Sequence, residues 1–85
     1  MYSIEFSKQA RRALTEMPRN TARTISGKIL ALAEDPHAPG NNVKRLAGCQ
    51  EYRLRVGDWR VIYALHDAVL VIEVIKIKPR GEAYR

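Results

Sequence analysis

The side chains best equipped for chemistry in this sequence are its clustered cations. Arg53, Arg55 and Arg60 crowd into one short stretch, Lys76, Lys78 and Arg80 follow in a second, and Lys44 precedes both. Guanidinium forks bind phosphate through paired hydrogen bonds and stay charged at any relevant pH, so a phosphodiester backbone is the natural match. Tyr84 places an aromatic ring near the second cluster. Rings beside basic groups hold single-stranded RNA by stacking its bases while the charges take the phosphates. The two histidines, His37 and His66, fall in stretches that read as loops and are taken as solvated.

What would bring the arginines together is a hairpin. Gly57-Asp58 suits a two-residue loop with glycine at its first central position, as in a type II′ turn. The turn then fixes the register: Val56 faces Trp59, Arg55 faces Arg60, Leu54 faces Val61, Arg53 faces Ile62 and Tyr52 faces Tyr63. One face carries Tyr52, Leu54, Val56, Trp59, Val61 and Tyr63 as core, and the other carries Arg53, Arg55, Arg60, Ile62 and Ala64. Like charges directly opposed on a sheet are destabilising, and a bound anion would relieve them. Glu51 shares that face and Glu73 joins it for some lengths of the following connection, so partial internal pairing is the competing account.

The elements that must position this hairpin are legible on either side of it. Residues 2–6 alternate as a strand, and Ser7 offers an N-cap oxygen to a helix over 8–17, where Ala10, Ala13, Leu14 and Met17 share one face and Pro18 stops the run. A second helix from residue 20 or 21 to 34 has its stripe at Ala22, Ile25, Ile29, Leu32 and Ala33, and Pro36 closes it. Residues 35–42 are dense in turn formers and form a loop. Three sequential antiparallel strands follow at 50–56, 59–65 and 69–77, rich in Val, Ile, Tyr and Trp. The expected class is α+β in the order β-α-α-β-β-β, an antiparallel-rich small sheet with an N-terminal helix pair packed on one face.

Composition narrows the setting. A chain of 85 residues supports one hydrophobic core and so a single domain over 1–85. Its 15 Lys+Arg against 9 Asp+Glu give a net charge of +6, which folding does not require and which points to a polyanionic or acidic partner. Cys49 is the single cysteine, which excludes an internal disulfide and a multi-cysteine zinc site and fits a reducing, cytoplasmic compartment. The N-terminus lacks an apolar signal region, and the longest apolar run, 68–75, is interrupted by Glu73, so no membrane partner is expected.

The stretch YRLRVGDWRVIY over residues 52–63, together with KPRGEAY over 78–84, resembles the RelE-type toxins of the RelE/ParE toxin-antitoxin superfamily. The resemblance covers nearly the whole chain, including the helix pair and the Leu46-Ala-Gly48 lead-in. It implies an endoribonuclease that enters the ribosomal A site and cuts bound messenger RNA, neutralised by a tightly bound antitoxin. It implies attack of a ribose 2′-hydroxyl on the adjacent phosphate with no metal and no cofactor. Matched position by position, Arg53 and Arg55 take two basic positions, Arg60 and Arg80 two arginine positions, and Tyr84 the base-stacking tyrosine, with Lys44, Lys76 and Lys78 adding to RNA binding.

One departure bears on mechanism. Many relatives carry lysine where this chain has Arg53 and Arg55, and arginine, with a pKa above about 12, is a poor proton acceptor. Lys44, Lys76, Lys78 or ribosomal RNA are the candidates for that duty. Relatives that use a Glu/His pair place histidine just before the terminal tyrosine, where this chain has Ala83. Two alternatives follow from the same resemblance: a ParE-like inhibitor of DNA gyrase, or a family member that binds RNA without cutting it.

Overall fold

The computed structural model of the chain describes residues 1–37, 42–46 and 50–79. Strand β1 (Ser3–Phe6) leads into helix α1 (Lys8–Glu16), whose N-cap is Ser7: its hydroxyl accepts the Ala10 backbone N–H at 3.0 Å. Pro18 separates α1 from α2 (Arg19–Glu34) and serves as the N-cap residue of the second helix. Both apolar stripes face inward. Ala10, Met17, Ile25, Ile29, Leu32 and Ala33 are buried, while Lys8, Arg11 and Arg12 remain in solvent.

Four further strands complete one sheet: β2 (Val43–Arg45), β3 (Glu51–Val56), β4 (Trp59–His66) and β5 (Val71–Pro79), in the spatial order β1-β5-β4-β3-β2. The α+β class and the helix pair on one sheet face stand as expected. Two features were not expected. Strand β2 is an added element, antiparallel to β3 with Lys44 across from Arg53, and β1 pairs with β5 in parallel, making the sheet mixed. The connection between β4 and β5 also differs: residues Asp67–Val69 form a turn of 3₁₀ helix and Leu70 takes a left-handed φ of 55°, so β5 begins at Val71 and extends to Pro79.

The hairpin register matches the sequence expectation pair for pair, from Tyr52 opposite Tyr63 to Val56 opposite Trp59. Gly57 has φ +58° while Asp58 is not in the positive-φ region, the combination of a type II′ turn. On the helix side, Leu54, Val56, Val61, Tyr63, Ile72, Val74 and Ile77 are buried against the helix stripes, with Tyr52 and Trp59 packed at the margin. Burial of such side chains stabilises by roughly 1.5–3 kcal/mol each before the cost of ordering the chain. The helix pair thus covers one face of the sheet.

Candidate nucleic-acid interface

The uncovered face is arranged in rows across the strands. The first runs Arg55, Arg60, Lys78 on β3, β4 and β5, each opposite the next. The second, two residues further along each strand, runs Lys44, Arg53, Ile62, Lys76 across β2 to β5. The two rows are about 7 Å apart along the strands, and the charges of the first row spring from backbone positions spanning about 10 Å. A third row beyond the bend in β5 is acidic: Glu51, Ala64, Glu73 and Glu5. The sheet face is therefore polar in its charge, cationic toward the hairpin tip and anionic toward the opposite end.

Register alone places Arg53, Arg55, Arg60, Lys76 and Lys78 together, as the sequence implied, and the unexpected strand β2 adds Lys44 beside Arg53. Arg80 and Tyr84 lie outside the described residues. Within them, the other tyrosines and Trp59 serve the helix side: the Tyr52 and Tyr63 rings stack at 5.4 Å between centroids, and burial, with Tyr52 adding, pushes the Tyr63 hydroxyl well above its ordinary value. The buried Tyr63 hydroxyl has no hydrogen-bond partner among the described residues.

Arg60 departs most from the sequence picture. It sits on the predicted face but is only 6% exposed, the one buried charged side chain among the described residues. Its place in the central strand explains this, since Arg55 and Lys78 flank it and Ile62 follows on the same face. Among the described residues the guanidinium donates one hydrogen bond, from Nη1 to the Trp59 carbonyl at 3.3 Å, and its Nε has no partner. No carboxylate reaches ion-pair distance of it among the described residues. A buried cation with neighbours of its own sign is ordinarily matched by a carboxylate, and here the acidic residues of the same face stand in another row.

The acidic end carries its own pairing. Glu73 does lie on this face, and His66, expected in a loop, is the last residue of β4 with Nε2 at 2.9 Å from Glu73 Oε1. His37 is in a turn and joins a second cluster, in which the Tyr2 hydroxyl donates to Asp67 Oδ1 at 2.6 Å and His37 Nε2 lies 2.9 Å from the same oxygen. Asp67 is held below the ordinary carboxyl range, chiefly by the Tyr2 hydrogen bond. This cluster ties the chain start to the β4–β5 corner, away from the cationic rows.

The mixed five-stranded sheet with a helix pair on one face is a fold shared with solved toxins of RelE–RelB complexes. The family model described as the ParE toxin of type II toxin-antitoxin systems matches residues 4–84, and the chain belongs to that family, within which it is a RelE-type toxin. The archaeal RelE of Pyrococcus horikoshii OT3, solved as a RelE–RelB complex, superposes with a TM-score of 0.82 at 33% identity, over 95% of this chain and 97% of that one. Toxin RelG of Mycobacterium tuberculosis is 28% identical over 99% of this chain and 97% of its own length. The mRNA interferase toxin RelE of Escherichia coli K12 is 22% identical over 98% of this chain and 90% of its own length.

Proposed function

We propose that this toxin is a ribosome-dependent endoribonuclease acting in the cytoplasm, cutting messenger RNA by attack of a ribose 2′-hydroxyl on the adjacent phosphate. The observation that carries the reading is Arg60, a buried arginine without a carboxylate partner among the described residues, set between Arg55 and Lys78. A phosphate in that row supplies the missing anion, and hydrogen bonds to a phosphorane formed there are strengthened by exclusion of water. The names of the RelE relatives as mRNA interferases support the same chemistry.

In this reading the 2′-oxygen forms a bond to phosphorus as the bond to the 5′-oxygen breaks, leaving a 2′,3′-cyclic phosphate and a 5′-hydroxyl. Arg60 and Arg55 hold the non-bridging oxygens, and Arg53 and Arg80 orient the neighbouring backbone. Tyr84 stacks a base. The 2′-hydroxyl proton goes to a lysine of the adjacent positions, Lys44, Lys76 or Lys78, or to ribosomal RNA, and the leaving oxygen is protonated in turn. The reaction needs no metal or cofactor. An antitoxin encoded to pair with it covers the cationic rows with acidic side chains, in keeping with the RelE–RelB complex of its structural relative.

The test is primer extension on messages carried by programmed ribosomes. The unsubstituted toxin should cut within the A-site codon, and Arg60→Ala should lower the cleavage rate by about 10²–10³. Absence of cleavage by the unsubstituted toxin refutes the reading. The ParE description of the matching family model favours a second one, gyrase inhibition by protein contact. Inhibition of gyrase-driven DNA supercoiling by the pure toxin would establish it instead.

A further inference from the structure

Strand β5 outruns its parallel neighbour. β1 ends at Phe6, opposite Val74, while β5 continues through Ile75, Lys76, Ile77 and Lys78 to Pro79. At the point where β1 stops, the β4–β5 register shifts between Ile62 and Tyr63, leaving Ile75 as the extra residue. A bulge followed by an unpaired edge is where a strand loses its register most easily.

Side chains from the start of α1 take over the missing ladder. The Ser7 backbone N–H donates to the Val74 carbonyl at 2.9 Å, and the Ser7 hydroxyl donates to the Ile75 carbonyl at 2.6 Å while accepting the Ala10 N–H as helix cap. Gln9 then behaves as a strand residue would: its Nε2 donates to the Ile77 carbonyl and its Oε1 accepts the Ile77 N–H, both at 3.0 Å. A carboxamide has one donor side and one acceptor side, so it reproduces both hydrogen bonds of a neighbouring strand with a single side chain. Gln9 also lines a cleft of about 440 Å³ together with Lys78 and Pro79.

We infer that Gln9 is a positioning residue for the cationic face, clamping Ile77 so that Lys78 stands opposite Arg60; this rests on the RNA-binding reading of that face. Because the Ile77 amide and carbonyl are turned toward Gln9, the residues on either side, Lys76 and Lys78, have their backbone groups turned to β4 and their side chains on the open face. The same clamp is the last side-chain anchor on β5 among the described residues before the segment bearing Arg80 and Tyr84.

A double-mutant cycle tests this, with a short 2′-O-methyl RNA as an uncleavable ligand and fluorescence anisotropy as the readout. In the otherwise unsubstituted toxin, Lys78→Met should weaken binding about tenfold. In the Gln9→Ala background it should weaken binding less than about threefold, because Lys78 is already displaced. Lys44→Met, on the same face at the β2 edge of the sheet, should cost the same factor in both backgrounds. Gln9→Glu keeps the acceptor for the Ile77 N–H and turns a carboxylate on the Ile77 carbonyl, so it should reproduce the Gln9→Ala result in a side chain of equal length. Equal losses from Lys78→Met in all three backgrounds overturn the positioning role, as does failure of both Gln9 variants to fold, which would make the clamp a stability element. If the unsubstituted toxin does not bind this RNA, the RNA-binding reading of the face falls and the role of Gln9 with it, whereas equal losses require measurable binding and bear on Gln9 alone.

Discussion

Arg60 sets stability against function, and replacing it with methionine measures the conflict. Arg60 is 94% removed from solvent, with a single 3.3 Å hydrogen bond to a neutral carbonyl among the described residues and cationic residues opposite it on both neighbouring strands. Exchanging buried ionic groups for apolar residues of similar volume is often stabilising, by about 1–4 kcal/mol. Methionine is shorter, and the space it leaves returns about 1 kcal/mol of that gain. A net stabilisation of about 2 kcal/mol remains, which for a domain of this size raises Tm by roughly 8–16 °C. Thermal and urea unfolding followed by circular dichroism would measure it, with an unchanged urea slope showing that the unfolded state is the same. Inorganic phosphate should raise the Tm of the unsubstituted toxin and have a smaller effect on Arg60→Met, since only an anion bound to the folded state stabilises it. An Arg60→Met toxin less stable than the original by more than about 1 kcal/mol would refute the reasoning: Arg60 would then be a structural residue with adequate partners.

Three further outcomes follow from the same geometry. Single-stranded RNA affinity should fall with salt by a log–log slope of about −0.7 per phosphate neutralised, and Lys78→Met should reduce the slope by one such step. Gly57→Ala should destabilise by about 1–2 kcal/mol in urea unfolding, because φ +58° is costly for any L side chain although nothing lies within 4 Å of the added carbon. Tyr2→Phe should lower Tm at neutral pH, and the difference should close in acid. The depressed native pKa of Asp67 contributes stability that is present above the unfolded carboxyl value, about 3.9, and is lost as pH falls through the lower native value. A Tyr2→Phe deficit that persists unchanged into strong acid would assign the effect to packing instead.

The parts of this fold that local chemistry determines are the parts the sequence disclosed. The Gly57-Asp58 turn fixes its own register, so every pair from Tyr52–Tyr63 to Val56–Trp59 could be written down in advance. Ser7 and Pro18 likewise bound α1, and the stripe from Ile25 to Ala33 identifies the buried side of α2. Strand β2 escaped because Val43–Arg45 offers a single apolar residue, too little for an alternation to show. The parallel pairing of β1 with β5 escaped for another reason: no turn joins those strands, and only the assembled sheet selects the partner.

The burial of Arg60 and the clamp of Gln9 were hidden by residue type, and they share a cause. Arginine and glutamine are read as surface residues because water usually satisfies their polar groups. In both cases the sheet removes the water and provides a substitute. Gln9, half-buried, receives a complete one, donor and acceptor matched on Ile77. Arg60 receives, among the described residues, one long hydrogen bond and no partner for its Nε. A polar group that the fold satisfies needs nothing further, whereas one that it desolvates and leaves incomplete is completed by something outside the fold. That difference separates the residue that positions the face from the residue we assign to the phosphate. It also implies an order of sensitivity: added anion should protect Arg60-dependent stability and leave the hydrogen exchange of the Ile77 amide unchanged.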